Sequence, residues 1–551
     1  MDCGTVHRCF ERTAAASPEA PFLHVLPETA RNYSIVPGDT RYGDARAAIG
    51  RMRDAFAAAG WGHGHRAGLL LENRPAFFGA WIALNALGVS VVPISAEMRA
   101  AELDYLIGHS EIDAAIVWPS RVRDVEAAAA RVGRDLPVIA AIDGSVECVR
   151  APLPAPHRAA PIAGAPDADT ECALLYTSGT TGRPKGCVLP NAYYLLAADW
   201  YATIGGLCTL REREERLITP LPMVHMNAMA YSTMAMIRTG GCVIPLDRFH
   251  PRSWWDSVRE SGATIVHYLG VMPPMLMSQP PDARDRAHRV RFGFGAGVDR
   301  RIHAAFEQRF GFPLLEAWAM TETGAGAVVI ANREPRHVGT ACFGRPEASV
   351  QVRIVGDDGN DVGADAPGEL WVRAAGDAPR RGFFREYLKD PAATGDAWAG
   401  GWFHTGDIVR RDADGYLYFI DRKKNVIRRS GENIAAVEVE SVLRRHPAVR
   451  EVAVAATPDP VRGDEVLACV VAADAAAVAD ARGRAETATA IVAYCLEQLA
   501  YFKAPGWVAF VEQLPLTSTQ KIQRGQLKEL AATLPGTDRC VDTRHLKKRQ
   551  A

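Results

Sequence analysis

The segment from Tyr176 to Gly186 carries the residue types that phosphate binding needs. It follows an apolar run and reads Tyr-Thr-Ser-Gly-Thr-Thr-Gly-Arg-Pro-Lys-Gly. Glycines let backbone N–H groups turn toward an anion, hydroxyls donate to phosphate oxygens, and a lysine supplies a mobile positive charge. Because the spacing is not that of a Walker motif, the pattern predicts a phosphate loop of another kind. The polar and hinge residues concerned are Thr177, Ser178, Gly179, Thr180, Thr181 and Lys185.

Further stretches of the same character follow along the chain. Taken singly, each has a simpler interpretation as a glycine turn, a helix cap, a turn aspartate or a solvated charge cluster, and the phosphate loop itself could be a flexible surface loop. Together they resemble the acyl-adenylate-forming family of acyl-CoA synthetases, luciferases and peptide-synthetase adenylation domains, over a span from Tyr42 to Leu527. The stretches are Gly295–Val298, Glu316–Gly324, Trp402–Asp407, Asp421–Lys424 and Leu514–Arg524.

The resemblance implies how the nucleoside would be bound. The turn would lie against the adenine, since small residues let a flat base approach the backbone, and the start of the second signature would help to hold the nucleotide. Asp407 would accept both ribose hydroxyls, with Arg422 assisting at the sugar. The adenine-side residues are Gly295, Ala296, Gly297, Glu316, Ala317 and Trp318.

The same resemblance implies that a second group of residues would bind the phosphates and the metal ion. Thr321 would contact phosphate oxygens, and Lys185 would neutralise the charge that gathers on them. Glu322, together with Thr177, would hold Mg²⁺, a hard cation that prefers carboxylate, hydroxyl, phosphate and water oxygens.

The C-terminal signature implies a mobile catalytic lysine. The resemblance gives the adenylation role to Lys521, although Gln520 stands where the family usually has glycine and limits the freedom of that loop. Similar enzymes rotate the small domain about the residue that corresponds to Lys424 before the thiol attacks. The alternative is that Lys424 is one more surface lysine. The rotation would bring a loop toward the pantetheine tunnel, and its residues are Ser430, Gly431 and Glu432.

The acid side is marked by His225, which matches the histidine that borders the acyl pocket in this family. A satisfied core histidine is the alternative. Ala319 occupies the place where acetate-specific enzymes carry tryptophan, which implies an acyl group larger than acetyl or propionyl. The segments around His225 and His267 are most similar to the carnitine/crotonobetaine-CoA ligase branch, although no aromatic cage for a quaternary ammonium can be located in the sequence. Flexible apolar surface would come from Met226, Met229 and Met234.

Hydrophobic periodicity predicts an α/β fold. Helices and strands alternate from Tyr42 to Val117, which predicts a parallel sheet. Short strands with glycine-rich turns from Ala366 to Tyr418 indicate an antiparallel or barrel-like portion. A compact α+β unit follows, so we expect a large N-terminal domain of layered α/β subdomains over residues 1–423 and a small mobile domain over residues 424–551.

Composition excludes several classes of protein. The formal net charge is −1 with 23% charged residues, so neither a nucleic-acid nor a membrane-surface partner is expected. We predict no signal peptide and no transmembrane helix. The 11 cysteines show no C-x-x-C pair, which fits reduced thiols in a cytoplasmic protein rather than a zinc site.

The sequence thus predicts an acid–thiol ligase that uses ATP, Mg²⁺ and coenzyme A. An acyl-AMP ligase that loads a free-standing carrier protein, a luciferase-like oxygenase and a nucleotide-binding pseudoenzyme are the alternatives. The pseudoenzyme predicts loss of Lys521, Glu322 or Asp407, and all three are present. The identity of the acid and the presence of a homodimer are left open.

Overall fold

The structure is a computed structural model in which the chain forms two compact units, described separately below. Unit 1 comprises Met1–Arg353, Trp371–His404 and Asp412–Tyr418, and unit 2 comprises Ile354–Leu370, Thr405–Arg411 and Phe419–Ala551. The structure describes residues 3–98, 100–156, 158–177, 184–429, 432–459, 462–499, 501–516 and 522–547.

A seven-stranded sheet of unit 1 contains the phosphate-loop strand. The three predicted strands of the Tyr42–Val117 region pair in parallel, as the helix–strand alternation indicates. The helix Pro75–Asn85 between two of them is buried along its whole length, which explains its lack of a polar face. The strand order is Glu386–Tyr387, Lys185–Pro190, Glu171–Thr177, Ser90–Pro93, Arg66–Leu70, Ala114–Val117 and Val138–Ala140.

An eight-stranded sheet of unit 1 positions the other predicted nucleotide segments. Its central strands are parallel, so their carboxyl ends meet at one edge, where ligands bind in α/β sheets. Leu269 pairs with Ala296 at that edge. The strand order is Val329–Ile330, Leu314–Trp318, Phe292–Ala296, Ile265–Leu269, Arg216–Thr219, Cys242–Pro245, Pro21–Val25 and Gly38–Arg41.

Helices cover these two sheets, and a π-helix, Asn227–Thr233, precedes one of them. The α-helices of unit 1 are Val6–Ala16, Pro27–Tyr33, Tyr42–Ala58, Pro75–Asn85, Ala100–Ser110, Val122–Arg131, Asn191–Thr203, Met234–Thr239, Trp254–Ser261, Met272–Met277, His303–Phe310 and Pro391–Ala397.

A five-stranded sheet occupies the region with glycine-rich turns. Its edge strand Cys342–Gly344 is antiparallel to Leu417–Arg422. Antiparallel pairing is one of the arrangements that the short strands and glycine-rich turns predict. The remaining strands, in order, are Phe403–Arg411, Gly368–Ala374 and Val350–Val355.

The C-terminal part of unit 2 is an α+β fold, as predicted. The hairpin Val449–Asp459/Gly463–Ala472 forms its centre. The other strands are Glu432–Ala435, Val426–Arg429, Trp507–Phe510 and Cys540–Asp542, and the helices are Ala436–Leu443, Ala481–Gln498 and Arg524–Thr533.

One predicted helix of this unit starts later than expected. The alanine-rich pattern predicts a helix over Ala475–Leu499, whereas the α-helix spans Ala481–Gln498. The Asp480 carboxylate accepts a hydrogen bond of 2.8 Å from the Gly483 N–H and caps the helix. An aspartate cap satisfies a helix-terminal donor and so sets the start of the helix, which alanine content alone does not reveal.

All eleven cysteines are free, and ten of them are buried. Within the described residues, no cluster of histidine, cysteine and acidic side chains could hold a metal ion by itself. None of the helices in these described ranges is long and apolar enough to cross a bilayer.

Candidate active site

The phosphate-loop segment joins two antiparallel strands. Thr177 ends the strand Glu171–Thr177 and pairs with Lys185, which begins the strand Lys185–Pro190. This register places the two residues opposite each other at the base of the loop. The predicted loop residues Ser178, Gly179, Thr180 and Thr181 lie outside the described residues.

Glu322 meets the base of this loop from the second signature. Its Oε1 accepts a hydrogen bond from the Thr177 hydroxyl at 3.4 Å and another from the Tyr387 hydroxyl at 3.0 Å. The carboxylate is 6% exposed, so these donors replace much of its hydration. The structure thus brings together Thr177 and Glu322, the two residues predicted to hold the metal ion.

Tyr387 belongs to this cluster and was missed in the sequence. It lies on the strand Glu386–Tyr387, paired with Cys187 beside the phosphate loop. Burial and the neighbouring charge of Glu322 raise the pKa of the Tyr387 hydroxyl, so it stays a proton donor to the carboxylate. The sequence carried no signal of a buried role, because four near neighbours of this tyrosine are charged, namely Arg385, Glu386, Lys389 and Asp390.

Lys185 reaches the same cluster from the facing strand. Its Nζ lies 4.7 Å from the centroid of the Tyr387 ring and 3.8 Å from Oδ2 of Asp390. The ammonium group is therefore held over an aromatic face with only a long ion pair. Such a cation can turn to an incoming phosphate without breaking a strong contact.

Thr321 lies next to Glu322 in a segment whose backbone is fixed by a hydrogen bond from a buried tyrosine. The Tyr193 hydroxyl donates to the Thr321 backbone oxygen at 2.9 Å. Because Tyr193 is buried in the helix Asn191–Thr203, this bond fixes the backbone of the signature while the Thr321 side chain keeps partial exposure.

The predicted adenine turn is fixed by Glu316. Its Oε2 accepts from the Gly297 N–H at 2.9 Å and its Oε1 from the Val298 N–H at 2.7 Å. Burial raises the pKa of the Glu316 carboxyl group. Position 295 requires glycine, because a Cβ there would lie 2.3 Å from the Tyr268 backbone oxygen.

The surface of this turn is open to a ligand. Ala296 and Gly297 are exposed, and Gly297 has φ +80°, a conformation that favours glycine. Ala317 is partly exposed, and Trp318 is buried with its ring 6.1 Å from that of Phe343. The residues predicted for the adenine therefore surround one accessible turn.

His225 lies on an accessible segment that precedes the π-helix Asn227–Thr233. It is exposed, and its N–H donates to the Pro222 oxygen at 3.0 Å, so it is not a core histidine. Met226 and Ala319 are partly exposed. The other two methionines of the prediction, Met229 and Met234, are fully buried.

A buried histidine, His267, supports this segment. Its Nε2 lies 3.0 Å from the Tyr201 hydroxyl, and its Nδ1 lies 2.8 Å from both Ser232 Oγ and Asn227 Oδ1. Burial lowers the pKa of His267 to about 3, so the ring is neutral. Its partners lie 35 to 66 residues away, which is why sequence spacing gave no signal.

In unit 2, Asp407 is paired with Arg422. The Arg422 Nε lies 2.6 Å from Asp407 Oδ1, and the carboxylate side chain is 1% exposed. Glu369, also missed in the sequence, accepts from the Gly406 N–H at 3.1 Å and from Lys423 Nζ at 2.7 Å. These bonds fix the turn before Asp407.

The predicted hinge is anchored by Asp421. This buried carboxylate accepts from the Arg422 N–H at 2.7 Å and from the Val437 N–H at 3.3 Å. Lys424 lies in the short 3₁₀ helix Lys423–Asn425 that follows. Ser430 and Gly431 lie outside the described residues, and Glu432 begins the strand Glu432–Ala435.

The C-terminal signature is held at its base. Arg524 Nη1 donates to Glu440 Oε1 at 2.6 Å and Nη2 donates to Oε2 at 3.0 Å, a bidentate pair. The Gln523 N–H donates to the Pro515 oxygen at 2.8 Å, and Leu516 pairs with Ile522. Lys521 itself lies outside the described residues.

Comparison with known proteins agrees with this arrangement. Residues 10–387 match the family described as AMP-binding enzyme, and residues 438–521 match the AMP-binding enzyme C-terminal domain. The chain therefore belongs to the AMP-binding enzyme family, whose members form adenylates.

The similar proteins narrow the class of reaction. The chain is 31% identical over 520 residues to a sulfoacetate–CoA ligase of Cupriavidus necator, covering 93% of this chain and 95% of that protein. It is 30% identical over 494 residues to a crotonobetaine/carnitine–CoA ligase of Escherichia coli, covering 87% and 91%. With the family and its motifs established, the chain is an ATP-dependent, AMP-forming acyl-CoA ligase.

The fold is similar to that of a solved CoA synthetase. An o-succinylbenzoate CoA synthetase of Bacillus subtilis, solved with its acyl-adenylate intermediate, superimposes with a TM-score of 0.77 at 24% identity, covering 94% of this chain and 97% of that one. This likeness confirms the predicted α/β fold with a large N-terminal and a small C-terminal part.

Proposed function

We propose that the protein joins a carboxylic acid to coenzyme A in two half-reactions at the residues described above. The acid carboxylate attacks the α-phosphate of ATP, the bond to pyrophosphate breaks, and an acyl-adenylate forms. The thiolate of coenzyme A then attacks the acyl carbonyl, and AMP leaves with the electron pair of the broken C–O bond. The observation that carries this proposal is the contact of Thr177, Tyr387 and Glu322 beside Lys185, at the base of the phosphate loop.

The donor set at this cluster fits Mg²⁺. It offers one carboxylate and one hydroxyl, the number of protein oxygens that suffices when nucleotide phosphates and water complete the shell. Glu322 and Thr177 would hold the ion. When bound, Mg²⁺ offsets the phosphate charge and so makes the α-phosphate easier to attack.

The chain's own groups give the remaining stabilisation on the phosphate side. Lys185 turns from the Tyr387 ring to phosphate oxygens as charge gathers there. Thr321 donates its hydroxyl to the same oxygens, and the bond from Tyr193 keeps its backbone in place.

Two elements of the chain bind the nucleoside, one the adenine and the other the ribose. The turn of Gly295, Ala296 and Gly297 receives the adenine, and Glu316 acts by holding the turn rather than by touching the base. Asp407 accepts the ribose hydroxyls, with its charge balanced by Arg422.

The roles of the mobile part come from the family resemblance. Lys521 stabilises the first transition state, Lys424 is the pivot, and the segment Ser430–Glu432 serves the pantetheine. The hydrogen bonds that Asp421 accepts support the role of Lys424 as the pivot, because they fix the backbone on one side of it.

The acid is proposed to be larger than acetate or propionate and to bind beside His225 and Ala319. The relatives named for sulfoacetate and for crotonobetaine or carnitine support an acid that carries a second polar group. Both the acid and the acceptor require a direct test.

That test is AMP and pyrophosphate release from ATP and Mg²⁺ across a panel of acids, with and without coenzyme A. AMP release that needs both an acid and coenzyme A supports the proposal and ranks the acids by kcat/KM. Acid-dependent pyrophosphate release that ignores coenzyme A indicates a carrier-protein loader instead. Silence over a broad panel would revive the pseudoenzyme.

A further inference from the structure

The π-helix Asn227–Thr233 begins two residues after His225 and has one accessible member. Its other six residues are buried, whereas Asn227 is partly exposed. π-Helical turns are rare and occur often at functional sites, because they cost hydrogen-bond geometry. A turn of this kind next to an exposed histidine therefore calls for a reason.

Two hydroxyls stabilise this irregular turn. Ser232 Oγ donates to the Asn227 backbone oxygen at 3.2 Å, and Thr233 Oγ1 donates to the Ala228 oxygen at 2.8 Å. Both bonds span five residues, the period of a π-helix. The chain thus supports the turn with dedicated side chains.

The orientation of the Asn227 amide follows from the hydrogen bonds of His267. The neutral ring has one donor and one acceptor nitrogen. Asn227 Oδ1 lies 2.8 Å from His267 Nδ1 and can only accept a hydrogen bond, so Nδ1 is the donor and Nε2 accepts from the Tyr201 hydroxyl. The ring proton then lies on Nδ1 and is donated to Asn227 Oδ1.

This arrangement leaves the amide nitrogen of Asn227 on the side away from His267. The amide oxygen is occupied by the ring, and the only accessible side chain of the π-helix therefore presents two N–H donors outward. The strand of His267 pairs His267 with Phe294 and Tyr268 with Gly295, so Asn227 lies beside the adenine turn, at the ligand-binding edge of the sheet.

We propose that Asn227 is a specificity-determining residue that donates a hydrogen bond from its side-chain amide to an oxygen on the acyl chain of the acid, away from the reacting carboxylate. The ligand class is an acid with a hydroxyl, keto, sulfonate or second carboxylate group. The inference rests on the proposed function, and it names a residue for the selection of the acid.

The test compares matched acids in the wild type and in Asn227→Asp. The acids are straight-chain monocarboxylates of three to six carbons and the same acids with one hydroxyl, keto or carboxylate substituent. Aspartate keeps an oxygen that faces His267 and replaces the outward N–H groups, but it also adds a negative charge. Asn227→Ala, which removes the donors without adding a charge, is therefore measured in parallel. We expect the wild type to prefer the best oxygenated acid over its unsubstituted analogue by about tenfold or more in kcat/KM, and Asn227→Asp to abolish that preference.

A control variant separates this role from support of the helix. Thr233→Val removes the equivalent five-residue bond in the same π-helix without touching Asn227 or His267, so the preference should stay within about twofold of the wild type. Asn227→Ala also removes the donors, and it serves as the test variant if thermal melting shows that Asn227→Asp does not fold.

Two results would overturn the inference while leaving the ligase intact. One is a wild type that shows activity without preference for oxygenated acids. The other is an equal loss of kcat/KM for both members of each pair in Asn227→Asp or Asn227→Ala. A wild type without acid-dependent AMP release on any acid would refute the proposed function itself and is distinguishable from both.

Discussion

The phosphate side and the acid side of unit 1 are built in different ways. On the phosphate side, Thr177, Lys185 and Glu322 belong to contiguous sequence motifs, although the contact of Thr177 with Glu322 joins residues 145 positions apart. On the acid side, His225 follows an ordinary segment, while Asn227, Ser232 and Tyr201 converge on the buried His267. The nucleotide is what the AMP-binding family has in common, whereas the similar CoA ligases are named for different acids. The residues that bind the common nucleotide therefore lie in recognisable sequence motifs, whereas the residues that select the acid are spread over the fold.

Glu322→Gln tests the phosphate side and has the largest expected effect. The substitution keeps the shape and removes the charge at the proposed metal position. We expect acid-dependent pyrophosphate release to fall by about 10²–10³-fold, and by the same factor for every acid in the panel. A loss confined to some acids would contradict the division between the two sides.

Tyr387→Phe sharpens the same side with a smaller effect. It removes the 3.0 Å hydrogen bond to Glu322 and leaves the aromatic face under Lys185. We expect the Mg²⁺ concentration for half-maximal activity to rise by about tenfold, while the relative kcat/KM values among acids stay unchanged. A purely structural role would instead lower the melting temperature without moving the Mg²⁺ dependence.

His267→Gln probes the acid side through stability and pH. Burial lowers the folded-state pKa of His267 to about 3, below the value of about 6.5 in an unfolded chain. The unfolded state therefore binds the extra proton as pH falls from about 6.5 toward 3, and the wild type loses stability in that window, by up to about 1.4 kcal/mol per pH unit.

Glutamine can keep hydrogen bonds at this position but does not titrate. The stability advantage of the wild type over His267→Gln, measured by urea unfolding, should therefore shrink between pH 7 and pH 5. An advantage that is constant over this range would show that His267 takes up a proton as readily in the fold as in the unfolded chain, and it would remove the basis for the orientation of Asn227.

The extent to which the sequence predicted the site follows the same division. The α/β alternation and the candidate residues of the phosphate loop, the adenine turn and the ribose site could be predicted, because each depends on residues close in the chain or on a long motif. Tyr387 and Glu440 could not, since they act on Glu322 and Arg524 from 65 and 84 residues away. The π-helix was also missed, because it is defined by backbone hydrogen bonds that hydrophobic spacing does not reveal.

The most direct test of the account is exchange of labelled pyrophosphate into ATP in the absence of coenzyme A. An enzyme that forms an acyl-adenylate reversibly must show exchange only when a suitable acid is present, and Glu322→Gln must lower the exchange rate by the same factor of about 10²–10³. Addition of coenzyme A should then yield AMP and thioester in equal amounts. Exchange without any acid, or release of ADP and phosphate instead of AMP and pyrophosphate, would contradict the assignment of this site to adenylate formation.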